Sequence, residues 1–260
     1  MKKPKVIVLS GYGLNCEEET AHAFNLVGGN TEIVHINDLI EGLVKLSRCQ
    51  ILAFPGGFSY GDDLGSGKAY ALKFKNHLQK ELDQFISRDT LTIGICNGFQ
   101  ILTHLSLLPG TLTFNTSARY YDRWVDLKIV NQSPWLKNID TLSCPIAHGE
   151  GRFYADKKTL NELKKKKMIA LQYFRGEIST LHDSEANPNG SINNIAGLTN
   201  VTGRILGIMP HPERAMYFTQ LPNWTYLKEK IKRGLGNKKL PIYGPGLQIF
   251  KNAINYYSNV

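Results

Sequence analysis

No stretch of this 260-residue sequence approaches the roughly 20 consecutive apolar residues that a membrane-spanning helix requires. The first apolar run, Val6 to Leu9, stops at Ser10-Gly11-Tyr12-Gly13, too short for the core of a signal peptide. Cysteine is scarce: Cys16, Cys49, Cys96 and Cys144 are scattered, with no C-x-x-C pair and none of the dense framework that small secreted domains use. None of the seven histidines forms H-x-x-x-H or stands beside a cysteine pair, which argues against a metal site. Internal repeats and low-complexity linkers are lacking too. These absences point to a soluble protein of a reducing cytoplasm. With 42% hydrophobic content, 260 residues suffice for one sizeable core, so a single domain over residues 1–260 is expected.

Acidic residues are in the minority, 22 against 31 Lys and Arg, which leaves a net charge of +9. The excess is most visible at Lys164-Lys165-Lys166-Lys167. No aromatic residues interleave with these lysines, and none of the common nucleic-acid modules is recognisable. Thr159 to Lys167 reads instead as a short amphipathic helix whose lysines suit the carboxyl end of its dipole. Neither a nucleic-acid nor a membrane partner is expected. Phosphate loops are also missing. Gly11-Tyr12-Gly13-Leu14-Asn15-Cys16 opens like G-x-G-x-x-G but has Cys16 in place of the third glycine. Gly65-Ser66-Gly67-Lys68 hints at a P-loop, yet Asp62 stands where the first glycine belongs and Ala69 where Ser or Thr is required.

What is present begins with alternation. Lys5–Ser10, 31–36 and 50–54 read as buried strands, and 17–27 and 38–46 as helices between them, a βαβαβ order that implies a parallel sheet covered on both faces. Residues 64–86 supply one or two helices before a strand at Leu91–Ile95. In the second half, the period-two pattern of 124–130 argues for half-buried antiparallel structure. Further strands are expected at 144–147, 168–174, 195–198 and 204–209, with helices at 224–233 and 246–257 separated by a Gly- and Lys-rich loop. Ligands on such sheets bind beyond the carboxyl ends of the strands, where Gly11-Tyr12-Gly13, Pro55-Gly56-Gly57 and Cys96 all fall.

Cys96 ends the strand Leu91–Ile95 and opens the helical pattern Ile101 to Leu105. Gly94 and Gly98 flank it at the spacing that lets a nucleophile elbow form without Cβ clashes, and the helix dipole favours the thiolate. A single cysteine in an apolar run is more often a small buried hydrophobe than a nucleophile. The balance shifts at Ile205 to Arg214, where another apolar strand ends in His211 followed two residues later by Glu213. Thiol, imidazole and carboxylate are the parts of a triad in which His211 takes the thiol proton and Glu213 holds the ring. His148 is the alternative base, but only His211 has a carboxylate at the right offset. Gly56-Gly57, directly after a strand, could turn backbone N–H groups toward an oxyanion or merely make a tight turn.

With these stretches in place, the chain resembles the class I (triad) glutamine amidotransferases, and within them the glutaminases of phosphoribosylformylglycinamidine synthases. The likeness rests on Pro55 to Asp62, Gly94 to Gln100, Pro145 to Arg152, Asn187-Pro188-Asn189-Gly190-Ser191 and Pro210 to Arg214, in that order. It implies an α/β fold with an open, twisted, mostly parallel, flavodoxin-like sheet flanked by helices, with extra antiparallel strands in the second half. It implies catalysis by Cys96, His211 and Glu213, an oxyanion hole from the amides of Gly57 and Asn97, and glutamine contacts from Gly56, Phe58, Gln100, Asn115, Ser117 and His148. The ammonia would pass to a separate synthetase subunit, in some assemblies with a small accessory subunit, and ATP and Mg2+ would belong to that partner, leaving this chain without cofactor or metal. Tyr243 to Ala253 looks more like the glutaminase domain of a fused, single-chain synthase. The rival readings are a stand-alone thiol hydrolase of related fold, such as a peptidase or γ-glutamyl hydrolase, and a non-catalytic regulator.

Overall fold

In the computed structural model, which describes residues 3–234 and 239–258, a nine-stranded mixed sheet organises the chain. Its first half is built from β1 (Lys5–Ser10), α1 (Glu17–Leu26), β2 (Asn30–His35), α2 (Ile36–Ile40), β3 (Ile51–Phe54), α3 (Lys68–Ser87), β4 (Leu91–Ile95) and α4 (Asn97–His104). The second half adds β5 (Thr111–Thr113), β6 (Tyr121–Ile129), β7 (Thr141–His148), β8 (Arg152–Tyr154), α5 (Lys157–Lys165), β9 (Ile169–Tyr173), α6 (Glu177–Leu181), β10 (Ile195–Thr199), β11 (Ile205–Ile208), α7 (Trp224–Gly234) and α8 (Leu247–Ser258). The large sheet runs β2-β1-β3-β4-β11-β10-β9-β6-β7, and β5 pairs with β8 in a separate ribbon.

The order β2-β1-β3-β4-β11 is parallel throughout and has the 2-1-3-4-5 connectivity of flavodoxin-like sheets. Strands buried on both faces read as continuous apolar runs, and β3, β4 and β11 have every residue buried. From β11 outward the pairing turns antiparallel through β10, β9, β6 and β7. Helices close the faces: α3 buries Tyr70, Phe74, Leu78, Leu82 and Phe85, an apolar stripe at helical spacing. One contiguous apolar cluster reaches from β1 to α8.

The one or two helices expected over 64–86 are the single helix α3, which begins only at Lys68. The helix expected at 38–46 is the short α2, because Gly42 adopts a φ of 74° and stops it. Unforeseen are the β5–β8 ribbon and α6. The latter explains why Asp126 of β6, on the polar side of its alternation, is buried: its carboxylate accepts from Ser179 N–H at 2.8 Å and Ile178 N–H at 3.4 Å, an anion at a helix start. The helix carrying the lysine run is α5, capped by Asp156, whose side chain accepts from Thr159 N–H at 2.7 Å, and its lysines from 164 on are exposed. Positions 1 and 2 of the basic start, and 235–238 of the Gly- and Lys-rich loop, lie outside the described residues. Among the described residues, no helix is long and apolar enough to cross a membrane.

Candidate active site

β4 and β11 are parallel neighbours with Ile95 opposite Ile208, so the residues that follow them emerge side by side at the carboxyl edge of the sheet. After β4 comes Cys96, whose φ of 51° is unusual for a residue with a side chain and marks a sharp elbow into α4. Its N–H donates to Ile208 O at 2.8 Å, which stitches the elbow to β11. The elbow packs so closely on β3 that a Cβ on Gly98 would collide with the carbonyl of Phe54, so only glycine fits there.

After β11 comes His211, its N–H held by Pro145 O at 2.8 Å. Pro212 then opens a short 3-10 turn, Pro212–Arg214, which folds Glu213 back beside the ring. His211 Nδ1 and Glu213 Oε1 are 2.5 Å apart, with both side chains buried. Burial opposes charge on His211, but the Glu213 carboxylate and the Cys96 thiol outweigh it and raise its pKa well above the ordinary value. Nε2 of His211 has no partner among the described residues, which leaves that nitrogen for proton exchange. The Cys96 thiol points at Ala147 O, 3.7 Å away.

Gly57 adopts a φ of 153°, and a Cβ there would stand 2.6 Å from Gly13 O and 2.7 Å from Leu14 Cα. The loop after β1 presses on it from one side: Phe58 N–H donates to Gly13 O at 2.9 Å, and Asn15 and Cys16 N–H donate to Gly56 O. Among the described residues no protein acceptor takes the N–H of Gly57 or of Asn97, the first residue of α4. Those two amides are the donors available to an oxyanion. Asn97 Oδ1 accepts from Ser59 Oγ at 2.6 Å and its Nδ2 donates to Asp62 Oδ1 at 3.1 Å, so the side chain clamps the segment that follows the glycines.

The residues expected to contact glutamine divide. Gly56 backs the His211 ring, and Phe58 is half exposed with its ring 6.2 Å from that of Tyr120. His148 is buried at the end of β7, with both ring nitrogens lacking partners among the described residues, and burial together with the nearby His211 pushes its pKa down to about 3. Gln100 and Asn115 are engaged within the protein. Gln100 Nε2 donates to Glu150 O at 2.7 Å and its Oε1 accepts from Asn97. Asn115 braces the turn after β7 through Arg119 O, His148 O and Gly151 N–H. Ser117 is exposed and accepts from Arg119 N–H. Sequence reasoning missed Cys16. Its Sγ lies within 4.8 Å of His211 and Glu213, a set of metal-type donors that spacing rules cannot see because the fold assembles it. Its position at the carboxyl end of β1, where the other site loops also converge, was the available signal.

Comparison with known proteins fits this geometry. A family profile described as a CobB/CobQ-like glutamine amidotransferase domain matches residues 3–257. The phosphoribosylformylglycinamidine synthase subunit PurQ of Methanococcus maripaludis strain S2 is 49% identical, with 98% of each chain covered. The phosphoribosylformylglycinamidine synthase of Dictyostelium discoideum is 34% identical over 98% of this chain, which spans only 20% of that protein. Among solved structures, PurLQS from Thermotoga maritima contains a chain that is 29% identical and superposes with a TM-score of 0.72, covering 98% of this chain and 100% of that one. The relatives thus include both a subunit of about this length and a much longer synthase of which this chain matches a fifth.

Proposed function

The chain belongs to the family of CobB/CobQ-like glutamine amidotransferase domains, and from that membership we propose that it is the glutaminase subunit of a phosphoribosylformylglycinamidine synthase, working through Cys96, His211 and Glu213. The observation that carries the assignment of roles is the buried His211–Glu213 pair on the strand next to the one that ends in the Cys96 elbow. Cys96 attacks the side-chain carbonyl of glutamine while His211 takes the thiol proton. The tetrahedral oxyanion is held by the amides of Gly57 and Asn97. Collapse breaks the C–N bond, His211 returns the proton to the leaving nitrogen, and ammonia departs from a glutamyl thioester. Water, deprotonated by His211, then hydrolyses the thioester to glutamate. Glu213 fixes the ring tautomer and balances the imidazolium at each transfer.

The ammonia goes to a synthetase subunit, which binds ATP and Mg2+ and converts formylglycinamide ribonucleotide to the amidine, in an assembly that extends in some cases to a small accessory subunit. The names of the relatives support this division, as does the failure of both glycine-rich segments to match nucleotide loops. His148, Phe58 and Gly56 border the glutamine pocket. Four buried, unpaired cysteines suit a reducing compartment, and we place the complex in the cytoplasm. The deciding experiment is Cys96→Ala in the reconstituted complex. Synthesis from glutamine should vanish while synthesis from added ammonia continues, and loss of both would refute the division of labour.

A further inference from the structure

His211 has a second thiol beside it. Cys16 stands where the loop after β1 enters α1, and its side chain is fully buried. Gly56 packs against both: a Cβ built on it would lie 2.7 Å from His211 Cε1, 3.4 Å from Nδ1 and 3.1 Å from Cys16 Sγ. The triad chemistry has no use for this thiol. Burial pushes its pKa up, which keeps it neutral beside the ring.

The sulfur does hold Arg214. Arg214 Nη2 donates to Cys16 Sγ at 3.0 Å, and its Nε lies 3.7 Å from Glu19 Oε1 on α1. Arg214 directly follows Glu213 in the same 3-10 turn, and Glu213 Oε2 is buried with no partner among the described residues. A guanidinium is a planar fork that fits a carboxylate, and the Glu213 charge already acts on Arg214. A guanidinium seated on Glu213 would neutralise the charge that the imidazolium of His211 needs opposite it.

We propose that Cys16 is a positioning residue: it ties Arg214 to the start of α1 and so reserves the Glu213 carboxylate for His211. A thiol suits the task because it accepts from the guanidinium without bringing a charge of its own next to the ring. The proposal rests on the glutaminase reading, and its test separates the two. Ammonia release from glutamine is measured with the chain bound to its synthetase, together with circular dichroism to confirm folding. Cys16→Ala should lower kcat about tenfold or more while leaving KM for glutamine unchanged, because only the base is disturbed. Cys16→Ser, whose hydroxyl still accepts from Arg214, should stay near wild type. Arg214→Gln should also stay near wild type, and Cys16→Ala combined with Arg214→Gln should recover the lost turnover, since no cation is left to restrain. A Cys16→Ala enzyme as fast as wild type overturns the proposal, as does a Ser variant as slow as the Ala variant, or a double variant without recovery. If Cys16→Ala does not fold, Arg214→Gln decides alone, and its loss of turnover overturns the idea. A wild-type chain inactive in the complex would overturn the glutaminase reading as well.

Discussion

Two buried histidines 63 positions apart in sequence sit close enough in the fold to act on one another, and they are driven in opposite directions. His211 has Glu213 against it, which raises its pKa; among the described residues His148 has no partner, and burial lowers its pKa. Replacing Glu213 by Gln preserves shape but removes the charge that compensates the imidazolium. Turnover of glutamine should fall about 10²-fold or more with the fold retained; unchanged kcat in the purified variant would remove Glu213 from the triad. His148 makes a different prediction. Its folded-state pKa is depressed, so below about pH 6.5 the unfolded chain takes up a proton that the folded protein refuses. The stability linked to His148 is fully present above that pH and is lost as the pH falls toward about 3. Between pH 6 and pH 4, His148→Asn should therefore flatten the fall in stability by about 1.4 kcal/mol per pH unit, read from urea midpoints. Equal slopes for the two proteins would mean that His148 protonates in the fold.

At the scale of elements, the site is the meeting of strand ends. The elbow at Cys96 depends on how closely α4 seats on β3, and Gly98→Ala tests it directly. The added methyl meets backbone on β3, which cannot move without disturbing the sheet. The variant should lose about 1–3 kcal/mol of stability and most of its glutaminase activity, checked by chemical denaturation and ammonia release. Much of this was legible in the sequence. β1 and β4 lie where their apolar runs begin and end, and Cys96 and His211 follow strands because glycine and proline punctuate those runs. The glutamine pocket was less legible. The amides of Gln100 and Asn115 also brace the fold, and no local pattern distinguishes a polar side chain that faces a ligand from one that braces a loop. α6 was invisible for a related reason: its formation depends on Asp126, 51 positions earlier than Glu177, offering an anion to its start.

For the whole molecule, the important property is that the loop proposed to supply the Gly57 oxyanion donor does not stand alone. Gly56 to Phe58 is hydrogen-bonded to Gly13 to Cys16, so the amide of Gly57 is aimed by a neighbouring loop. Both loops lie on the face from which Phe58, Tyr12 and Tyr120 project into solvent, where a partner subunit could press on them. Isolated, the chain should hydrolyse saturating glutamine slowly, and binding the synthetase should raise kcat as the loop is set. Equal turnover by the free and bound chain would mean that the loop is already in place. One consequence of the strand order concerns biosynthesis. β4 ends at Ile95, yet its second neighbour, β11, begins only at Ile205, and it is β11 that brings His211 to Cys96. Under the proposed mechanism, a growing chain on the ribosome can complete the first four parallel strands and hold the proposed nucleophile long before its base is made.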